Sequence, residues 1–299
     1  MTVAKWACRV REAGRPGKHR RSSGGAAWSQ SGLDPPRRGA CVAWSADQYL
    51  KFAAPRLQPA LDLLARVPDA LQPSRVVDLG CGTGSATQRI AARWPRADVT
   101  GVDDSADMLA REAPAGSRVR WQRADMADAT AWAPAGGLDL IYSNAALHWL
   151  PDHAALFPAL LQRLRPGGVL AVQMPRNFGA PSHQLIHATA LDGPWRDRLL
   201  PLVMPPPVAE PRWYVEHLSP QVAALDVWET EYQQILTGPD PVKEYTKGTW
   251  LMRFLQALPP DEAAAFEADY AARVRTAYPP LADGRTLFPF RRLFIVAVR

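Results

Sequence analysis

Two hydrophobic rhythms run along this chain, and through its first half they take turns. Over 59–67 the apolar residues Leu61, Leu64, Ala65 and Val67 recur at helical spacing, and Pro68 ends the pattern. After Pro73, Val76-Val77-Asp78-Leu79 predicts a short buried strand that runs into a glycine cluster, Gly80-Cys81-Gly82-Thr83-Gly84. A helix carrying Ile90, Ala91 and Trp94 follows and stops at Pro95. Strands are then predicted over 99–102, 119–124, 138–143 and 169–174, with helices over 105–112 and 152–164. Apolar strands alternating with amphipathic helices predict an α/β fold with a doubly wound, mostly parallel, Rossmann-like sheet. Such sheets take ligands beyond the carboxyl ends of their strands.

Past Pro175 the alternation fails. A strand-like segment over 224–235 and a final one over 293–298 enclose two helical stretches, about 240–257 and 261–278. This predicts a helical lid inserted before the last strands, with no second independent domain. The expected organisation is a leader over 1–43 and one domain over 44–299. Within that domain, 44–68 form an N-terminal cap helix, 69–175 a ligand-binding core, and 176–299 the lid and final strands. The leader has no apolar periodicity and is rich in Gly, Ser, Pro and Arg, so disorder is expected there.

Charge changes the picture once it is located. The chain of 299 residues carries a formal +6, which by itself suggests nucleic acid. Residues 1–43 hold nine basic side chains and two acidic ones, Glu12 and Asp34, a net of +7, whereas the other 256 residues hold 26 basic and 27 acidic, a net of −1. The body therefore offers no excess positive charge for phosphates, and a nucleic-acid partner is not expected. Val42, encoded by GTG among other codons, stands just ahead of the patterned region, so the leader is expected to be a disordered appendage or a mis-assigned start. Three cysteines (Cys8, Cys41, Cys81) at unrelated spacings make neither a disulfide framework nor a zinc site. No apolar run approaches the roughly 18 residues that span a bilayer, and no export signal is visible. A cytoplasmic monomer without metal or membrane partner is the expectation.

Asp78-Leu-Gly80-Cys-Gly82-Thr-Gly84 directly after a strand is the central chemical signal. Glycines there let backbone approach a ligand, and the following helix points its N-terminus at it. A dinucleotide site would place the third glycine one residue later, and Asp78 would repel its pyrophosphate while suiting a cationic ligand. S-adenosylmethionine has a sulfonium, an ammonium and no phosphate. Asp103 ends the second strand, where a carboxylate can accept from ribose hydroxyls, and Asp125 follows the third, where one can accept from an adenine amino group. Any one of them alone reads as a strand-end or helix-cap residue; together they favour the cofactor. The fourth strand runs into Ser143-Asn144-Ala145-Ala146-Leu147-His148-Trp149 at the mouth of the crevice.

Asp78 to Gly84, Gly101-Val-Asp103, Asp125 and the Arg165-Pro-Gly-Gly turn resemble class I S-adenosylmethionine-dependent methyltransferases. The likeness is closer to the trans-aconitate 2-methyltransferase family. It rests on Trp44 with Tyr49-Leu-x-Phe52-x-x-x-Arg56, Leu63-Leu-Ala-Arg-Val-Pro68, and Asn144-Ala-x-Leu-x-Trp-Leu-Pro-Asp-His153. It continues through Gly168-Val-Leu-Ala-Val-Gln-Met-Pro175, Val227-Trp228 and Arg292-Leu-Phe-Ile-Val-Ala297. The resemblance spans about 44–299 and implies methyl transfer from S-adenosylmethionine to a carboxylate of trans-aconitate. It implies cofactor contacts at Asp78, Gly80, Gly82, Gly84, Asp103, Asp125, Asn144, Trp44 and Tyr49. Two departures fall where substrate is expected: Arg176 where the family commonly has an acid, and Lys247-Gly-Thr-Trp-Leu-Met-Arg253 in the lid.

A carboxylate is already ionised at neutral pH, so no catalytic base is expected, only placement and water exclusion. Candidate substrate residues are Tyr49, Arg253, Arg292 and Asn177, with Arg56, Arg291 and His183 behind them. Cys81 reads as a small loop residue, and His148 and Trp149 as packing or site-lining groups. Methylation of another small acid or hydroxylated metabolite is the alternative. A binder of the cofactor without turnover is the reading from another class.

Overall fold

The computed structural model describes residues 53–110, 118–133 and 137–299, with backbone alone for 53–56. The leader, Trp44 and Tyr49 lie outside the described residues, and the side chain of Arg56 is not described. The strands are β1 (Arg75–Leu79), β2 (Asp98–Asp103), β3 (Arg120–Arg123), β4 (Leu138–Asn144), β5 (Leu164–Pro175), β6 (Ala224–Leu236) and β7 (Thr286–Val298). They form one seven-stranded sheet in the order β3-β2-β1-β4-β5-β7-β6. β1 to β5 pair in parallel, and β7 runs antiparallel between β5 and β6. The chain moves outward from β1 to β3, then returns to β4 on the other side of β1. The crevice of such a sheet opens at that reversal, between β1 and β4.

The apolar runs that predicted strands are buried on both faces. Val76, Val99, Leu140, Tyr142, Val169 and Ala171 face helices α1 (Ala53–Arg66) and α2 (Ser85–Arg93), meeting Leu63, Leu64, Val67, Ile90 and Trp94. Their neighbours Val77, Ile141, Leu170 and Val172 point the other way, beneath Phe157, Leu160 and Leu161 of α3 (His153–Arg163). Strand residues alternate sides, so a two-faced strand needs apolar residues at nearly every position.

The lid is built from two insertions where the sequence pattern suggested one. Helices α4 (Pro181–Asp192) and α5 (Pro211–Leu218) lie between β5 and β6, and α6 (Pro241–Lys247) and α7 (Pro260–Ala277) between β6 and β7. Pro201, Pro205, Pro206, Pro207 and Pro211 interrupt the first insertion and hide its periodicity. β7 also starts earlier than predicted, because Pro289 sits inside it, opposite Gln233, and reads as a loop residue.

The amino ends of the strands are stapled by Asp139 on β4. Its Oδ2 accepts from Ser74 N–H (2.8 Å), Ser74 Oγ (2.8 Å) and Arg75 N–H (2.7 Å), and its Oδ1 from Arg165 Nε. Burial would raise the carboxyl pKa, but the Arg165 bond and the backbone donors outweigh it and hold it near about 2. Among the described residues no helix is long and apolar enough to cross a membrane.

Candidate active site

The loop after β1 places Gly80, Gly82 and Gly84 at φ of 76°, 58° and 84°, a region side chains rarely adopt. Gly80 and Cys81 each donate a backbone N–H to the Val102 carbonyl, at 2.8 and 3.0 Å, tying the loop to the end of β2. A Cβ on Gly80 would collide with the Ala146 methyl and Met126 Sδ. Gly82 turns toward room, its Cβ direction reaching only the Met108 methyl at 3.4 Å. Gly84, expected as a cofactor contact, also has a packing reason: the Trp121 ring fills the space its side chain would need. The Cys81 thiol has its pKa pushed up by burial and by the charges of Asp78 and Asp103, which disarms it as a nucleophile.

Negative charge gathers around this loop. Asp78 is buried beneath it, and its Oδ2 accepts from Thr87 Oγ1 of α2 at 2.6 Å. Burial pushes the Asp78 pKa up to about 7; the Thr87 bond opposes the rise and Asp103 adds to it. Asp103 accepts from Gly82 N–H on Oδ2 and from Ser105 N–H on Oδ1, both at 2.9 Å. Burial raises its pKa as well, against those backbone bonds. Next to it, Asp104 is pushed up to about 6, first by burial and then by Asp103. Asp125, beyond β3, keeps Oδ1 on the Ala127 N–H at 2.9 Å. A cation would relieve this cluster and a pyrophosphate would aggravate it.

Across the crevice, Asn144 closes β4, and its buried Oδ1 has no partner among the described residues. The next residue, Ala145, is held at φ 54° by donating its N–H to the Gln173 carbonyl at 2.9 Å. That strained turn presses Ala146 against Gly80 and so sets the width of the crevice. A glycine cradle, strand-end carboxylates and an orphaned amide oxygen fit a nucleoside with a cationic tail.

The lid side is basic and aromatic. Arg292 of β7, 3% exposed, reaches Gln173 Oε1 and Tyr245 Oη, each at 3.4 Å, and lies over the Phe290 ring at 4.8 Å. Its Nε and the Gln173 Nε2 are buried and have no partner among the described residues. His148, on the turn Leu147–Trp149, is buried with Nδ1 likewise orphaned, and its ring packs 4.6 Å from Trp149. Burial, then the charges of His153 and Arg292, drives its pKa down to about 3; burial and His187 do the same to His183. Both imidazoles are neutral at physiological pH.

Several expected site residues are occupied elsewhere. Asn177 accepts from Arg291 N–H at 3.1 Å and donates to Ser182 Oγ at 3.2 Å, so its amide joins β7 to α4. Arg291 faces the opposite side of the strand from Arg292 and pairs with Glu231 at 3.4 Å. Arg176 is held by Glu210 at 2.7 Å and by Glu229, so this departure does not free a charge toward the site. Gln173 and Trp250 stood in the sequence only as members of motifs, without a role, and Tyr245 went unnoticed. Only Gln173 leaves a signal there, as an amide inside the apolar run Val172-Gln173-Met174.

Comparison with known proteins completes the picture. The family model of the methyltransferase domain matches residues 49–207. The chain is 50% identical over 258 residues to the trans-aconitate 2-methyltransferase of Azoarcus sp. (strain BH72), covering 86% of this chain and 99% of that one. It is 46% identical over 263 residues to the protein of the same name from Streptomyces avermitilis, covering 86% and 97%. The crystal structure of the YcgJ protein from Bacillus subtilis shares the fold, with a TM-score of 0.52 at 15% identity over 81% of this chain and 98% of that one. Identity at this level, over nearly the full length of both relatives, shows that the chain belongs to the trans-aconitate 2-methyltransferase family.

Proposed function

We propose that this protein transfers the methyl group of S-adenosylmethionine to a carboxylate oxygen of trans-aconitate, giving the monomethyl ester. The observation that carries the reading is Arg292, a buried guanidinium held by neutral groups with no carboxylate partner among the described residues. An uncompensated buried cation is costly, and an anionic substrate relieves it. The name shared by the relatives supplies the acid.

When bound, S-adenosylmethionine supplies a sulfonium methyl that a carboxylate oxygen takes in line while the bonding pair stays on sulfur, so no proton moves. The chain's part is placement. Gly80 and Gly82 open the cradle, Asp103 and Asp125 accept from the nucleoside, and the orphaned Asn144 Oδ1 takes a donor. Asp78 acts through its charge beneath the loop, and Gly84 through its room for Trp121. On the other side Arg292 and Arg253 orient the acid, and the aromatic lid excludes water, which strengthens both contacts. Residues 69–175 thus serve the cofactor and 176–299 the substrate. The working form is a cytoplasmic monomer, which light scattering at one subunit mass checks.

Arg292→Ala tests the reading. KM for trans-aconitate is expected to rise about 100-fold, the loss that goes with a buried charge-assisted contact, while the S-adenosylmethionine Kd stays within about twofold. Equal loss of both affinities would contradict it.

A further inference from the structure

Arg292 is not alone in lacking a counter-ion among the described residues. Arg253, on the single helical turn Met252–Leu255, lies over the Trp250 ring at 4.4 Å and reaches only Met204 Sδ, at 3.6 and 3.7 Å. Burial pulls its pKa down, and no opposite charge among the described residues restores it. A row of rings connects the two arginines. Trp250 meets Phe178 at 4.9 Å, Phe178 meets His183 at 5.1 Å, and His183 meets Phe290, under Arg292, at 6.3 Å. Four acids of the surrounding elements are committed elsewhere: Glu210 and Glu229 to Arg176, Glu231 to Arg291, and Glu267 to Lys243 and Lys247. His148, His183 and His187 contribute no charge, because burial keeps each imidazole neutral.

Building on the polycarboxylate reading, we infer that the site selects its substrate by counting carboxylates, with Arg292 and Arg253 each taking one bystander carboxylate so that only a third remains to accept the methyl group. Two guanidiniums and one sulfonium balance three carboxylates in charge. A diacid fills both stations and leaves no acceptor. Gln173 is the specificity-determining residue at the first station. Its amide oxygen holds an Arg292 Nη at 3.4 Å without neutralising it, and its own Nε2 remains free among the described residues for an incoming oxygen. A glutamate of the same shape would supply the counter-ion from within and close the station.

Glutaconate, mesaconate and itaconate each equal an aconitate skeleton less one carboxylate, and they provide the test. The wild-type protein is expected to bind these diacids as competitive inhibitors and to methylate them with a kcat/KM about 100-fold or more below that for trans-aconitate. In Gln173→Glu the ratio of triacid to best diacid is expected to fall about 100-fold, with S-adenosylmethionine binding kept. Arg253→Gln reads the second station and should lower the same ratio, which covers the case in which the glutamate variant does not fold. Diacids methylated by the wild type within about tenfold of trans-aconitate, or a ratio unmoved in both variants, would overturn the counting while leaving the reaction in place. No ester from any acid would overturn the reaction, and the counting with it.

Discussion

Asp78 is a carboxylate that folding turns into a weaker acid, from an ordinary value of 3.8 to about 7. The folded state therefore binds its proton more tightly than the unfolded chain. Stability falls as pH rises between those two values, and the full cost is present above about pH 7. A bound cation recovers that cost, so S-adenosylmethionine affinity should increase as pH rises through 7. Asp78→Asn is expected to raise the melting temperature of the ligand-free protein most at about pH 8 and much less at about pH 5, and to flatten the pH dependence of cofactor binding. Thermal melts with and without ligand at both pH values check this, and a variant indistinguishable from wild type in both would contradict it. Asp103, Asp125 and Asn144 could be singled out as candidates from the sequence because each ends or follows a strand that announces itself. Asn177, a candidate for substrate, has a partner the sequence could not show: the N–H that occupies its oxygen belongs to Arg291, 114 residues away. Gln173 was harder to read for the opposite reason, since the apolar run on both sides makes its position read first as strand and leaves only the lone amide as a signal.

The strands from β1 to β5 could be read from the sequence because burial on both faces leaves continuous apolar runs between glycine and proline breaks. The lid could not be read as well. Its first insertion is interrupted by prolines, and its helices pack on one another and on β7, contacts that leave no local period. The two ends of the sheet also divide their labour. At the carboxyl ends, orphaned polar atoms and strained turns face the crevice; at the amino ends, Asp139 satisfies Ser74, Arg75 and Arg165 with nothing left over. Asp139→Ala should therefore cost about 3 kcal/mol of stability, by orphaning those donors, while kcat and KM of the folded protein hold. Because the folded pKa of Asp139 is depressed to about 2, its contribution is complete above its ordinary value of 3.8 and disappears as pH falls through about 2. Denaturant melts at neutral pH paired with steady-state kinetics measure both halves; a fall in kcat matching the stability loss would show that the two ends are coupled.

For the molecule as a whole, the +6 balance says little about the site, because the body carries −1 and the excess lies in the leader. What matters is where charges are left uncompensated. Carboxylates crowd the cofactor side of the crevice, and guanidiniums without a carboxylate partner among the described residues stand on the lid side, so the molecule is polarised to hold a cationic donor against an anionic acceptor. That is the central claim, and one measurement addresses it most directly. Purified protein is incubated with trans-aconitate and S-adenosylmethionine labelled in the methyl group, and the acid fraction is analysed by mass spectrometry. The account predicts a labelled monomethyl ester that alkali cleaves to methanol and trans-aconitate, formed in step with S-adenosylhomocysteine. Tight cofactor binding with no labelled ester, or label in a product that alkali does not cleave, would contradict it.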